Sequence, residues 1–95
     1  MRLTEFEVNS IKKSAREIFG TEAEVFLFGS RVDDNKKGGD IDLYIKTSTG
    51  NDLQHKIKFL VTLEQQIGEQ KIDVILANDQ SRPIEQQAIN TGVLL

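Results

Sequence analysis

Three aspartates stand in segments that otherwise have the character of strands, where this residue type is uncommon. Asp40 and Asp42 lie two apart in one such segment, so their side chains leave the same face about 6.6 to 6.8 Å apart along the strand. Asp73 interrupts the apolar run Ile72 to Ala77, where an unpaired charge is costly to bury. If the two strands are neighbours, the three carboxylates converge, and their repulsion favours bound protons or cations. Oxygen ligands without His or Cys suit hard ions such as Mg²⁺ or Mn²⁺.

A glycine and a serine precede the acidic pair. Gly29 and Ser30 follow the apolar run Val25 to Phe28, and a glycine at this point lets a phosphate approach the backbone closely. The Ser30 hydroxyl and nearby amides can donate hydrogen bonds to phosphate oxygens. Arg31 can reach the same phosphates or pair with a neighbouring aspartate. The segment therefore fits a phosphate-binding loop.

Each of these features also has an ordinary structural explanation. Alternating polar residues such as Asp-x-Asp are common on half-exposed strands, and Asp73 can be a buried ion-pair partner of Lys71 or of an arginine. Gly29 and Ser30 can form a simple turn with a serine cap. Any one explanation suffices for one feature, but departures from local rules tend to fall at functional sites. The combination in one short chain favours a site for phosphates and metal ions.

Helical and strand signals alternate along the chain and would position these residues. A capping box at Thr4 to Glu7 opens the first helix, which Gly20 ends. The other expected elements are strands at 25–28, 40–45 and 72–77, a helix capped by Asn51 or Asp52 and closed by Gly68, and a last helix from Pro83 to Gly92 before an apolar tail at 93–95. The middle helix is expected to bury Leu53, Ile57, Leu60, Leu63 and Ile67. This order predicts an α/β fold with helices packed on a small sheet.

Composition limits the function classes. The chain has 95 residues, which suits one domain over residues 1–95, and a net charge of −3, which argues against tight non-specific nucleic-acid binding. It contains no cysteine, so disulfides and thiolate metal sites are excluded. Its apolar runs are far shorter than the roughly 20 residues that span a bilayer, and the N-terminus has no apolar signal core. We therefore expect a cytoplasmic domain that does not contact a membrane.

The spaced motif resembles a known family signature. Phe28-Gly29-Ser30, nine further residues, and then Asp40-Ile41-Asp42-Leu43 are similar to the Gly-Ser…Asp-x-Asp signature of the DNA polymerase β-like nucleotidyltransferase superfamily. The resemblance extends through Ile72-Asp73-Val74 and the segments 82–85 and 88–94. It is greatest to the minimal nucleotidyltransferases, small stand-alone members that are usually paired with a HEPN-domain toxin.

The resemblance implies a fold and a set of residue roles. The fold is a small mixed sheet of three to four strands packed by helices. Gly29 and Ser30 would bind the nucleotide triphosphate, and Arg31 is a further nucleotide-binding candidate from its position next to them. Asp40 and Asp42 would ligate two Mg²⁺ ions, and Asp73 would complete one metal site and help to activate the acceptor hydroxyl.

The resemblance also implies an activity and a partner. The protein would move AMP from ATP to a hydroxyl, a tyrosine of a partner HEPN toxin, and so act as an antitoxin. One alternative is an antitoxin without catalysis that blocks its partner by binding. A weaker one is nucleotidyl transfer to a small molecule, because the sequence offers no added domain that would bind such an acceptor.

Overall fold

The computed structural model describes residues 3–29 and 40–95. In chain order, the elements are α1 (Glu5–Phe19), β1 (Glu24–Phe28), β2 (Ile41–Lys46), α2 (Leu53–Ile67), β3 (Ile72–Leu76), α3 (Pro83–Thr91) and β4 (Val93–Leu94). The four strands form one sheet in the order β3-β2-β1-β4. The predicted α/β fold class, a small mixed sheet packed by helices, is confirmed.

The strand directions follow from the connections. β1 runs antiparallel to both β2 and β4, whereas β2 and β3 are parallel because α2 carries the chain back between them. Asp42 is the register partner of Phe28 on one side and of Asp73 on the other. The apolar tail is not a free end, because Val93 and Leu94 pair with β1 as a short edge strand.

The helix ends agree with the predicted signals. The Glu7 N–H donates to Thr4 Oγ1 at 3.0 Å and the Thr4 N–H donates to Glu7 Oε1 at 2.9 Å, which completes the capping box. Asp52 caps α2 by accepting a hydrogen bond from the His55 N–H at 2.9 Å. Gly68 follows α2 at a φ of +83°, a conformation that L side chains rarely adopt.

The two faces of the sheet are packed differently. β2 sends Ile41, Leu43 and Ile45 toward α1 and α2, where they are fully buried. The main core on that face consists of Ile11, Ala15, Phe19, Val25, Leu27, Ile41, Leu43, Ile45, Phe59, Leu63 and Val74. The opposite face has a smaller cluster of Phe28, Tyr44 and Ala88 under α3. Among the described residues, only the short helix α3 covers this second face, and part of β2 and β3 is accessible there.

The predicted buried face of α2 was partly wrong. Leu63 is buried, but Leu53 is 66% exposed and Ile57 is 52% exposed. Phe59, which lies off the predicted stripe, is fully buried and packs against the ring of Phe19. The larger aromatic side chain orients the helix toward the core, so the ridge that begins at Leu53 turns toward solvent.

In residues 3–29 and 40–95, no helix combines the length and apolar character that crossing a membrane requires.

Candidate active site

Asp42 and Asp73 lie side by side. They are register partners across the parallel strands β2 and β3, so their side chains leave the same face of the sheet. The charge of Asp73 acts on the ionisation of Asp42, so the two carboxylates lie close together. These two of the three predicted carboxylates therefore do meet.

Asp40 takes a different position. It stands just before β2, and its Oδ2 lies 3.4 Å from Lys71 Nζ. The Ile41 N–H also donates to the Lys71 carbonyl at 3.0 Å, which joins the starts of β2 and β3. Lys71 is thus paired with Asp40, and the alternative in which it pairs with a buried Asp73 is wrong.

Repulsion within this acidic group shows in the pKa of Asp42. Burial raises that pKa, and the negative charges of Asp73 and Asp40 raise it further. The positive charge of Lys71 acts in the opposite direction. Asp42 in its ionised form is therefore incompletely neutralised, and a proton or a cation would relieve the repulsion.

Asp73 does not carry the burial cost that its apolar neighbours suggested. Its side chain is exposed, because β3 is the outermost strand in the described sheet. Val74, which points to the other face, is 4% exposed. The expectation of a charge within a buried strand is corrected to a charge at an accessible edge.

Gly29 lies against the carboxylate of Asp42. It follows β1 directly, next to the register pair Phe28 and Asp42, and has a φ of +79°. A Cβ at this position would collide with Asp42 Oδ2. Glycine is therefore required twice, for its backbone conformation and for the room it leaves. Ser30 and Arg31, the other predicted nucleotide-binding residues, lie outside the described residues.

A cleft of about 600 Å³ opens over the carboxylate pair. Gly29, Asp42 and Asp73 line its polar part, together with Lys56 of α2 and Gln87 of α3. Sequence reasoning did not find Lys56 and Gln87. No local pattern marks them, since their place in the cleft depends on how both helices pack against the sheet.

The carboxylates of the cleft can be compared with the ligands of the divalent ion that the resemblance implies. In the part of the chain that the structure describes, no three His, Cys, Asp or Glu side chains form a group arranged to hold a metal. Asp42 and Asp73 nevertheless offer adjacent, mutually repelling carboxylates in an open cleft. Mg²⁺ is commonly bound by one or two carboxylates, with substrate phosphates and water completing its shell. The pair fits such an ion.

A second carboxylate on this face of the sheet is fully satisfied. Glu85 of α3 is completely buried, accepts a hydrogen bond from the Tyr44 hydroxyl at 2.8 Å, and also accepts from the N–H groups of Asn78 (3.0 Å) and Asp79 (2.8 Å). Burial, this hydrogen bond and the charge of Glu85 raise the pKa of Tyr44 to about 12. Tyr44 is thus buried under α3 and does not line the cleft. Arg82 Nη1 also lies 3.7 Å from Glu85 Oε2.

The mixed sheet, the glycine at the end of β1 and the paired carboxylates of β2 and β3 together describe a nucleotidyltransferase domain. The chain belongs to the family described as "Polymerase beta, Nucleotidyltransferase", whose model matches residues 9–95. The comparison with curated proteins gives no match.

Proposed function

We propose that this protein is a Mg²⁺-dependent enzyme that transfers AMP from ATP to a hydroxyl of a partner protein. The observation that carries the proposal is the Asp42–Asp73 pair in an open cleft next to Gly29. Membership of the nucleotidyltransferase family supports the general reaction. To this general reaction the proposal adds Mg²⁺ as the metal ion, ATP as the nucleotide donor and a protein as the acceptor.

Each residue of the site would have its own role in this reaction. Asp42 and Asp73 would hold the divalent cation, which when bound neutralises charge on the phosphates and lowers the pKa of the acceptor hydroxyl. Gly29 leaves room for the Asp42 carboxylate beside the end of β1, where the triphosphate would bind. Asp73, exposed at the sheet edge, would accept the hydrogen bond of the acceptor hydroxyl. The hydroxyl oxygen then bonds to the α-phosphorus, pyrophosphate leaves, and the hydroxyl proton passes to solvent.

Asp40 would join the metal site only after releasing Lys71. That release is cheap, because the Lys71 side chain is 75% exposed and ion pairs of this kind contribute about 0–1 kcal/mol. Ser30 would complete the binding of the triphosphate, as the family resemblance implies, and Arg31 is placed by the sequence to assist it.

The partner we propose is a HEPN-domain toxin, modified on a tyrosine and thereby silenced. The resemblance of the motif to the minimal nucleotidyltransferases supports this choice. A specific observation also favours a second candidate, an antitoxin that silences by binding alone. Asp40 is engaged with Lys71, so that the described residues hold a pair rather than a triad of free carboxylates.

Intact-mass measurement of a HEPN partner, purified with the protein and incubated with ATP and Mg²⁺, tests both candidates. We expect a mass increase of one AMP per modified site, which Asp42→Asn abolishes. The matched control is Glu17→Gln, which removes an exposed carboxylate of α1 that does not line the cleft. An unchanged mass with a silenced toxin would favour the binding-only antitoxin.

A further inference from the structure

In residues 3–29 and 40–95, no strand pairs with the outer edge of β3, which lies beside the carboxylate pair. In the described sheet, β3 is a terminal strand. Hydrogen bonds from the Ile41 N–H to the Lys71 carbonyl (3.0 Å) and from the Ala77 N–H to the Ile45 carbonyl (2.8 Å) fix which residues face β2. Because backbone groups alternate along a strand, those of Ile72, Val74 and Leu76 point away from the sheet.

A groove follows this edge between α2 and α3. The cleft of about 600 Å³ includes Ile72 and Val74, and a second cleft of about 350 Å³ includes Leu76 and Arg82. Lys56 lines both clefts, so they meet along β3. The groove thus spans the five residues of β3, about 17 Å of extended chain at roughly 3.3 Å per residue.

The walls of the groove differ in chemistry on the two faces of β3. On the α2 side, Leu60 lines the first cleft and Leu53, which is 66% exposed, lines the second. On the other side lies the exposed Asp73. An added strand sends alternate side chains to opposite faces, so it would place one set against the leucines and the other set beside Asp73.

We propose that the acceptor polypeptide binds in this groove as an added β-strand. An extended segment pairs with the backbone of Ile72, Val74 and Leu76, and places apolar side chains against Leu53 and Leu60. The side chain opposite Asp73 then lies on the face of the carboxylate pair, and a hydroxyl there is presented for transfer. The chemical step rests on the proposed function, whereas the binding step requires neither nucleotide nor metal.

Charge disfavours a second copy of this chain as the occupant. Two β3 edges paired antiparallel about Val74 would place both Asp73 side chains on one face as diagonal neighbours, about 7–8 Å apart. They would also close both clefts over the repelling Asp42–Asp73 pairs. Each chain carries a net charge of −3, which adds to the repulsion.

A capped synthetic peptide tests the inference without nucleotide or metal. Its sequence is Val-Thr-Val-Tyr-Val-Thr-Val. One further version carries N-methyl groups on the four valines, and another carries them on the two threonines and the tyrosine. Only one of these two sets directs its N–H groups toward β3. We expect one N-methylated peptide to lose at least tenfold in affinity and the other to lose less than threefold. Equal affinities of the two would overturn the inference.

Amide NMR locates the binding. We expect hydrogen exchange at Ile72, Val74 and Leu76 to slow when the peptide binds, while the exchange of Val93 and Leu94 at the opposite sheet edge stays the same. Protection at β4 instead, or at the three β3 amides without peptide in a concentration-dependent dimer, would contradict the proposal.

A pair of variants at Leu76 separates backbone pairing from side-chain contact. Leu76→Pro removes an outward N–H, which an edge strand tolerates, and Leu76→Ala shortens the side chain and keeps that N–H. We expect the proline variant to bind the peptide at least fivefold more weakly than the alanine variant, with thermal unfolding as the check on folding. Equal binding by two folded variants would count against strand addition.

The outcomes also separate this inference from the proposed function. Edge-dependent binding without AMP transfer would retain the docking surface and reject the transferase. If the protein transfers AMP to a partner and Leu76→Pro leaves that transfer unchanged, the proposed function stands and the docking surface is rejected.

Discussion

The accessible face of the sheet holds two carboxylate sites with opposite electrostatics. At the start of β2, Asp42 lies next to Asp73, and burial together with the neighbouring negative charges raises the pKa of Asp42. Two residues further on, Tyr44 donates to Glu85. Burial also acts to raise the pKa of Glu85, but the N–H groups of Asp79 and Asn78, the Tyr44 hydroxyl and Arg82 outweigh it and lower that pKa.

The difference teaches that hydrogen-bond donors decide what a buried carboxylate does. Glu85 receives two amide N–H groups and a hydroxyl, so its charge is satisfied and it joins α3 to the end of β3 and to β2. Asp42 has a second carboxylate where Glu85 has donors. The Glu85 site stabilises the fold, and the Asp42–Asp73 site can accept a cation.

Asp42→Asn gives the largest expected effect and separates activity from stability. Loss of charge in the cleft should lower AMP transfer on the order of 10³-fold, as for removal of a group that stabilises transition-state charge. The free energy of unfolding should rise at neutral pH, because the substitution relieves repulsion from Asp73 and Asp40. Transfer assays and urea unfolding measure both. A less stable Asp42→Asn protein would show that the carboxylates do not repel.

Glu85→Leu should have the opposite consequence for stability. It leaves the Tyr44 hydroxyl and the N–H groups of Asn78 and Asp79 without their acceptor, and each unsatisfied buried donor costs about 1–3 kcal/mol. We expect the free energy of unfolding to fall by about 3 kcal/mol in urea titrations. Glu85→Gln keeps an acceptor oxygen and should lose less. A loss for Glu85→Leu no greater than that of the glutamine variant would reject the structural role.

Gly29→Ala tests how closely the backbone approaches Asp42. The positive φ alone costs about 1–2 kcal/mol for a residue with a Cβ. The control is Gly29→Ala in a protein that also carries Asp42→Ala, where the carboxylate that a Cβ would meet is gone. In urea unfolding, we expect Gly29→Ala to cost more stability in the wild type than in the Asp42→Ala protein. Equal losses would mean that Asp42 gives way without cost.

Most of the fold could be predicted from the sequence because local signals mark where the helices begin and end. The capping box at Thr4, the cap at Asp52 and the glycine after α2 are satisfied by residues close in sequence. The buried face of α2 could not be predicted in full, because Phe59 is selected by its contact with Phe19, 40 positions earlier in the chain. Pairing of the apolar tail with β1 likewise depends on a distant strand.

The candidate site could also be predicted only in part, because some of its contacts join residues that are far apart in the sequence. The family resemblance supplied Asp73 on the strand next to Asp42, whereas the spacing of Asp40 and Asp42 did not predict that Asp40 stands before β2 and pairs with Lys71. The partner of Lys71 and the role of Glu85 could not be predicted, since both arise where separate elements meet. Even so, Tyr44 offered a signal, because a large polar side chain on the face of Asp42 requires a partner once it is buried.

The smallest expected effect is the pH dependence that distinguishes the two sites. Glu85 has a lowered pKa, so the stability it contributes is present above its ordinary value of 4.5 and is lost as pH falls through the folded-state pKa. Asp42 has a raised pKa, so its ionised form costs stability above that pKa, and this cost disappears as pH falls toward 3.8. The stability gained by Asp42→Asn over the wild type should therefore be present at pH 7 and absent below pH 3.8. Urea titrations of both proteins across this range measure the difference, and a gain that persists in acid would assign it to packing instead of charge.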